Sequence, residues 1–89
     1  MILDPRPYFD VISKMIGIEW MNMSRALAYQ IPIHQIDSKH EMLYDKAYAA
    51  LLYWYRKYGQ NATISILKIA LQDVSRQDII QRIGMIIII

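Results

Sequence analysis

The chain has 89 residues, which makes one domain at most, since single domains usually run from about 50 to 250 residues. It contains no cysteine, which excludes a disulfide scaffold, a thiol nucleophile and any zinc site built on Cys. Ten Lys and Arg against eight Asp and Glu leave a formal charge of +2; their scatter gives no nucleic-acid footprint, and no run reaches the ~18 apolar residues of a membrane span.

Residues 1–7 read as an N-terminal extension, with Asp4-Pro5-Arg6-Pro7 leading into the first helix. Over 8–16, Phe9, Ile12 and Ile16 recur at helical spacing with Val11 and Met15 beside them, an amphipathic helix stopped by Gly17. A second helix is predicted over 19–29, with Trp20, Met23 and Leu27 on one face and Pro32 as its breaker. A short third helix over 33–40 carries Ile33 and Ile36. The fourth and longest, 42–58, ends at Gly59, a residue suited to a C-terminal cap. Its Leu43, Ala47, Ala50, Leu51, Trp54 and Tyr58 cover an arc wide enough for a core face. Asn61 suits an N-cap for a fifth helix over 62–73, with Ile66, Leu67, Ala70 and Leu71 inward. Ser75 followed by Asp78 resembles a capping box opening a sixth helix over 76–83, with Ile79, Ile80 and Ile83 on its apolar side. The β-prone residues 85–89 read as a frayed or cut-off tail, outside a domain placed at 8–84. The fold class expected is all-α, a six-helix antiparallel bundle.

The ordered set of helices is similar to the death domain family. Leu51, Trp54, Ala62, Thr63, Leu67, Ala70, Leu71, Arg76, Asp78 and Ile79 fill that family's pattern in the second half. Trp20, Met23, Arg25 and Leu27 fit its Trp-x-x-Leu-Ala-Arg-x-Leu pattern in the first, with Met23 in place of Leu and Ser24 in place of Ala. The strings YFDVISKMIG ahead of Trp20 and NAT after helix four look most like an adaptor member. The RQDI string also resembles the charge motif of death effector domains, but the two Trp positions and NAT favour the death domain. The resemblance implies a death-fold bundle and binding to other death domains, of a receptor or an upstream adaptor, through asymmetric contacts. Caspase recruitment would then pass through a domain absent from this sequence.

No catalytic constellation is readable. His34 and His40 are six residues apart, on different faces of any helix, where a zinc pair would want i, i+4 and further ligands. No nucleophile-elbow or Gly-rich phosphate loop occurs, so the chain is expected to be no enzyme and to need no cofactor. Asn22 and Asn61 match the glycosylation acceptor pattern, and neither is expected to be used. No secretory signal is seen at the N-terminus, which makes a cytoplasmic location the expectation.

Candidate residues are therefore partner contacts. Hydrophobic residues make up 55% of the chain, above the about 45–50% of ordinary globular domains, so some apolar side chains are expected at the surface. Tyr44, Tyr48, Leu52 and Tyr55 widen the apolar arc of helix four, either packing on neighbouring helices or forming a contact face. Arg25, Asp37, Lys39, Glu41, Arg56, Lys57, Arg76 and Asp78 stand where the resembled family places contacts. Two readings of the function follow: an adaptor module that assembles with other death domains, or a structural homo-oligomer held by the Tyr face and Ile86–Ile89.

Overall fold

The stripe of Phe9, Ile12 and Ile16 is buried in α1 (Phe9–Ile16) of the computed structural model, which describes residues 4–87, with side chains through Met85. A 3-10 turn (Arg6–Tyr8) precedes α1 and holds Pro7. Gly17 ends α1 at φ 58° and ψ −139°, a conformation open to glycine and closed to residues with a Cβ. One further 3-10 turn (Gly17–Glu19) delivers the chain directly into α2 (Trp20–Leu27).

α2 is shorter than its pattern predicts, and Pro32 is not what stops it. Ala28 leaves the helix with φ −166° and ψ 127°, and this extended step turns both Ala28 and Ile31 into the core. Tyr29, between them, is left 86% exposed. α3 (Ile33–Lys39) is short and buries Ile36 alone. α4 (Leu43–Tyr58) spans the molecule and ends at Gly59, as its sequence indicates, with φ 55°.

The N-cap of α5 (Ile64–Asp73) lies two residues beyond the expected one. Asn61 sits in a 3-10 turn continuing from Gly59, and Ala62 turns inward to be buried. Thr63 is the residue with extended backbone at the helix entrance, and its Oγ1 accepts the Ile66 N–H at 3.2 Å. The capping box foreseen for α6 (Gln77–Ile87) is also absent. Ser75 instead closes α5 with φ 59°. Its N–H donates to the Gln72 carbonyl, and the Arg76 N–H donates to the Leu71 carbonyl, both at 2.9 Å. That pair of bonds is a Schellman closure, with Ser75 at the position usually held by glycine. α6 runs on through Ile87, past the end its pattern suggests at Ile83.

These six helices form an all-α antiparallel bundle. α1 and α2 pack along α4, α2 also packs on α5, and α6 closes against α5 and α1. α3 is carried by α4. Phe9, Trp20, Met23, Leu51, Trp54, Leu67, Leu71, Ile79 and Ile83 fill the centre, each essentially fully buried. Full burial of such a side chain is worth about 1.5–3 kcal/mol, so this set dominates the favourable side of folding. Leu43 and Ile66, expected inward, are 39% and 38% exposed. Both lie in the first turn of their helices, where no neighbouring helix covers them.

Candidate interaction surfaces

Three regions carry the candidate residues. The first is the joint between α1 and α4. Tyr48 and Tyr55 stand edge-on to Phe9, with ring centroids 6.1 and 6.3 Å from it, a favoured aromatic geometry. The Arg6 guanidinium lies 4.8 Å above the Tyr55 ring. Tyr44 is tilted on Tyr48 at 5.8 Å, and its hydroxyl donates to Asp10 Oδ1 at 2.6 Å. Asp10 also pairs with Lys14 at 3.0 Å. The Tyr44 bond, followed by Lys14, holds the Asp10 carboxyl below the usual carboxylate range. Facing that carboxylate pushes the Tyr44 hydroxyl up to about 12. All three tyrosines are half-buried: each has packing inside the chain and an edge at the surface.

The second region is the corner where α1 ends and α6 begins. Arg76 Nη1 and Nη2 donate to the Ile16 and Met15 carbonyls at 3.0 and 2.9 Å, satisfying groups that a helix C-terminus leaves without partners. The same guanidinium grips Asp78 through Nε and Nη2 at 3.0 and 2.9 Å. This fork raises the Arg76 pKa further and holds Asp78 low. Arg76 is thus engaged within the fold, while the Asp78 side chain stays 54% exposed.

The third region surrounds α3. A groove of about 610 Å³ between α3 and α4 is lined by Pro32, Ile36, Leu52 and Tyr53, with Lys39, His40, Arg56 and Lys57 around it. A second groove of about 650 Å³ along the α2–α3 connection is lined by Arg25, Tyr29, Ile31 and His34. The two share Pro32 and Gln35, and no Asp or Glu lines either. Lys39, Arg56 and Lys57 make no ion pair among the described residues. Arg25 is held by Asn22 at 3.2 Å, itself bonded to Glu19. Asp37 points elsewhere, pairing at 2.7 Å with Lys46, a lysine only 16% exposed. Glu41 is exposed beyond the end of α3.

The structure therefore brings Lys39 together with Arg56 and Lys57, and separates them from Arg76 and Asp78. Sequence reading missed the groove residues Ala49 and Tyr53, although a signal was present. Positions 49, 52, 53, 56 and 57 of α4 follow i, i+3, i+4, i+7, i+8, a second stripe beside the core face. It also missed Lys46 and Asp10, whose partners lie on other elements. Among the described residues, no three His, Asp or Glu side chains converge to hold a metal, and no helix is long and apolar enough to cross a membrane.

The family model described as the Death domain matches residues 6–87, nearly the whole chain. No curated protein and no solved structure matches the chain significantly. The chain belongs to the death domain family, whose members are protein–protein interaction modules that bind other death-fold domains.

Proposed function

We propose that this death domain is the assembly module of a cytoplasmic, non-catalytic signalling adaptor, joining other death domains by asymmetric contacts into an oligomeric apoptotic or innate-immune complex. The observation that carries the reading is the separation of charge. Arg56, Lys57 and Lys39 gather at the α3–α4 groove, while Asp73 is exposed at the α5–α6 turn and Asp78, paired with Arg76, keeps an exposed edge beside it. Unlike faces on one molecule suit head-to-tail contacts, and such contacts extend into helical oligomers when they do not close. Complementary charge speeds association and fixes register more than it adds affinity. Many weak contacts acting together then turn receptor clustering into a switch through effective concentration.

The adaptor type rests on the strings YFDVISKMIG and NAT, which most resemble the death domain of the Fas-associated adaptor. On that reading the partners are a receptor or upstream adaptor, with caspase recruitment through a companion domain. The surface residues assigned to contact are Arg25, Lys39, Glu41, Arg56, Lys57 and Asp78, with Tyr44, Tyr48 and Tyr55 offering their exposed edges. Asp37 and Arg76 contribute by holding α3 and the α1–α6 corner in place.

A second reading, homo-oligomerisation through apolar surface, is favoured by Ile69 and Ile66 on α5, 57% and 38% exposed, and by Met85 at 65%. The contacts expected for it are the Tyr face and Ile86–Ile89, and the side chains of Ile86–Ile89 lie outside the described residues. Light-scattering mass against concentration, at low and high salt, separates the two. Oligomers that dissolve in salt and vanish in Arg56→Glu support the charge-guided assembly. Oligomers indifferent to both, and lost in Ile69→Asp, overturn it in favour of the apolar face.

A further inference from the structure

We propose that the paired grooves around α3 form a docking trough for a linear acidic segment of a partner protein, an amphipathic helix with apolar anchors and flanking carboxylates. This goes beyond assembly with folded death domains, because the occupant is a single chain segment. Charge complementarity is the main argument. Arg25, Lys39, Arg56 and Lys57, with His34 and His40, line the two grooves, and no carboxylate does. The chain as a whole carries ten basic and eight acidic residues, so these two grooves are a local concentration of charge, bounded by Asp10 and Asp45 in the adjoining groove that shares His40, Ala49 and Leu52. Its three cations nearest the α3–α4 groove have no internal ion pair among the described residues.

Shape selects among anionic partners. The apolar floor (Pro32, Ile36, Ala49 and Leu52) lies between α3 and α4 with Tyr53 exposed at its edge, where the side chains of a helix at i, i+3, i+4 and i+7 reach and a flat bilayer does not. Both are open grooves, about 610 and 650 Å³, wide enough to receive side chains from outside. α3 itself is lightly anchored, burying Ile36 and tied to α4 through the Asp37–Lys46 pair. It is therefore placed to adjust to an incoming helix without disturbing the centre of the bundle.

The test is fluorescence anisotropy with a labelled synthetic peptide of about four helical turns, carrying Leu and Ile at i, i+3, i+4, i+7 and Glu on both flanks. Saturable binding that falls at least ~tenfold in Lys39→Glu and in Tyr53→Ala, and weakens with salt, is the result expected. A scrambled peptide of identical composition is expected to bind at least ~tenfold more weakly. Binding of the scramble as tight as that of the designed peptide, or binding unchanged in both variants, overturns the proposal. So does tighter binding of a single-stranded oligonucleotide or of phosphatidylserine vesicles, which would mark a general anion surface. Both substitutions are at exposed positions, and a far-ultraviolet melt confirms that each variant is folded. The light-scattering experiment on Arg56→Glu reads death-domain assembly separately, so either proposal can fail without the other.

Discussion

Arg76 and Arg56 are both arginines near a helix end, and the fold uses them in opposite ways. Arg76 is one-quarter exposed, with its guanidinium bound to two carbonyls of α1 and to Asp78. Arg56 stands at an acid-free groove with no ion pair among the described residues. A guanidinium whose donors are satisfied internally ties helices together, and one without partners has its hydrogen-bonding capacity available to another molecule. The α1–α6 corner is therefore tied within the fold, whereas the cations at the α3–α4 groove stay unpaired among the described residues, as the proposed contact surface requires.

The largest effect that could break this comparison is on folding at the corner. Arg76→Ala leaves the Met15 and Ile16 carbonyls without their donors, and hydrogen bonds involving a charged group are worth about 1.5–3 kcal/mol. A loss of about 2–3 kcal/mol is expected, which lowers Tm by on the order of 10 °C in a domain this small. Arg56→Ala is expected to change stability by no more than about 0.5 kcal/mol. Urea melts of the two variants side by side decide the matter: equal losses would erase the distinction between the regions.

A smaller effect sharpens the same corner from its other side. Ser75 holds φ 59°, a left-handed conformation that costs a residue with a Cβ roughly 1–2 kcal/mol. Ser75→Gly relieves that cost and returns about 0.4–1 kcal/mol through the greater freedom of the unfolded chain. A net gain of about 0.5–1 kcal/mol is expected, with Tm raised by about 3–6 °C. Unchanged or lowered stability would mean that the Ser75 side chain contributes something that the Schellman closure does not explain.

The contrast between these regions also marks where sequence reading succeeds. Phe9, Ile12, Ile16, Trp20, Met23, Leu51, Trp54, Leu67, Leu71, Ile79 and Ile83 were legible because helical periodicity places core residues at fixed intervals. Ala28 and Ile31 were not, since they are buried by an extended step that has no period. Asn61 and Ser75 were misread as caps because cap preference names residue types, whereas Thr63 and the Schellman closure are fixed by backbone geometry. The α3 groove was half legible: its α4 wall follows a helical stripe, but Lys39 joins it only through the packing of α3. Arg76 lies 60 residues from Ile16 in the chain, and no local pattern connects them. Arg25, Arg56 and Arg76 therefore looked alike in sequence as contact candidates.

The smallest effect belongs to the α1–α4 joint, whose polar tie responds to pH in both directions. The folded-state pKa of Tyr44 is raised from about 10 to about 12 by its bond to Asp10. Its contribution to stability is therefore fully present below pH ~10 and is lost as pH rises through ~12. Asp10 is held below its ordinary 3.8, first by Tyr44 and then by Lys14, so its contribution is present above that value and lost as pH falls through the lowered one. Between these limits the bond adds a constant amount. Tyr44→Phe keeps the ring on Tyr48 and removes the hydroxyl, and it should flatten the alkaline limb of a urea-midpoint profile. The acid limb should shrink without disappearing, because Lys14 still faces Asp10 at 3.0 Å and Asp78, held low by Arg76, titrates in the same range. An alkaline limb as steep in Tyr44→Phe as in the parent chain would show that the loss at high pH comes from the other tyrosines. It would leave Tyr44 a packing residue, with its ring as its whole contribution to the joint.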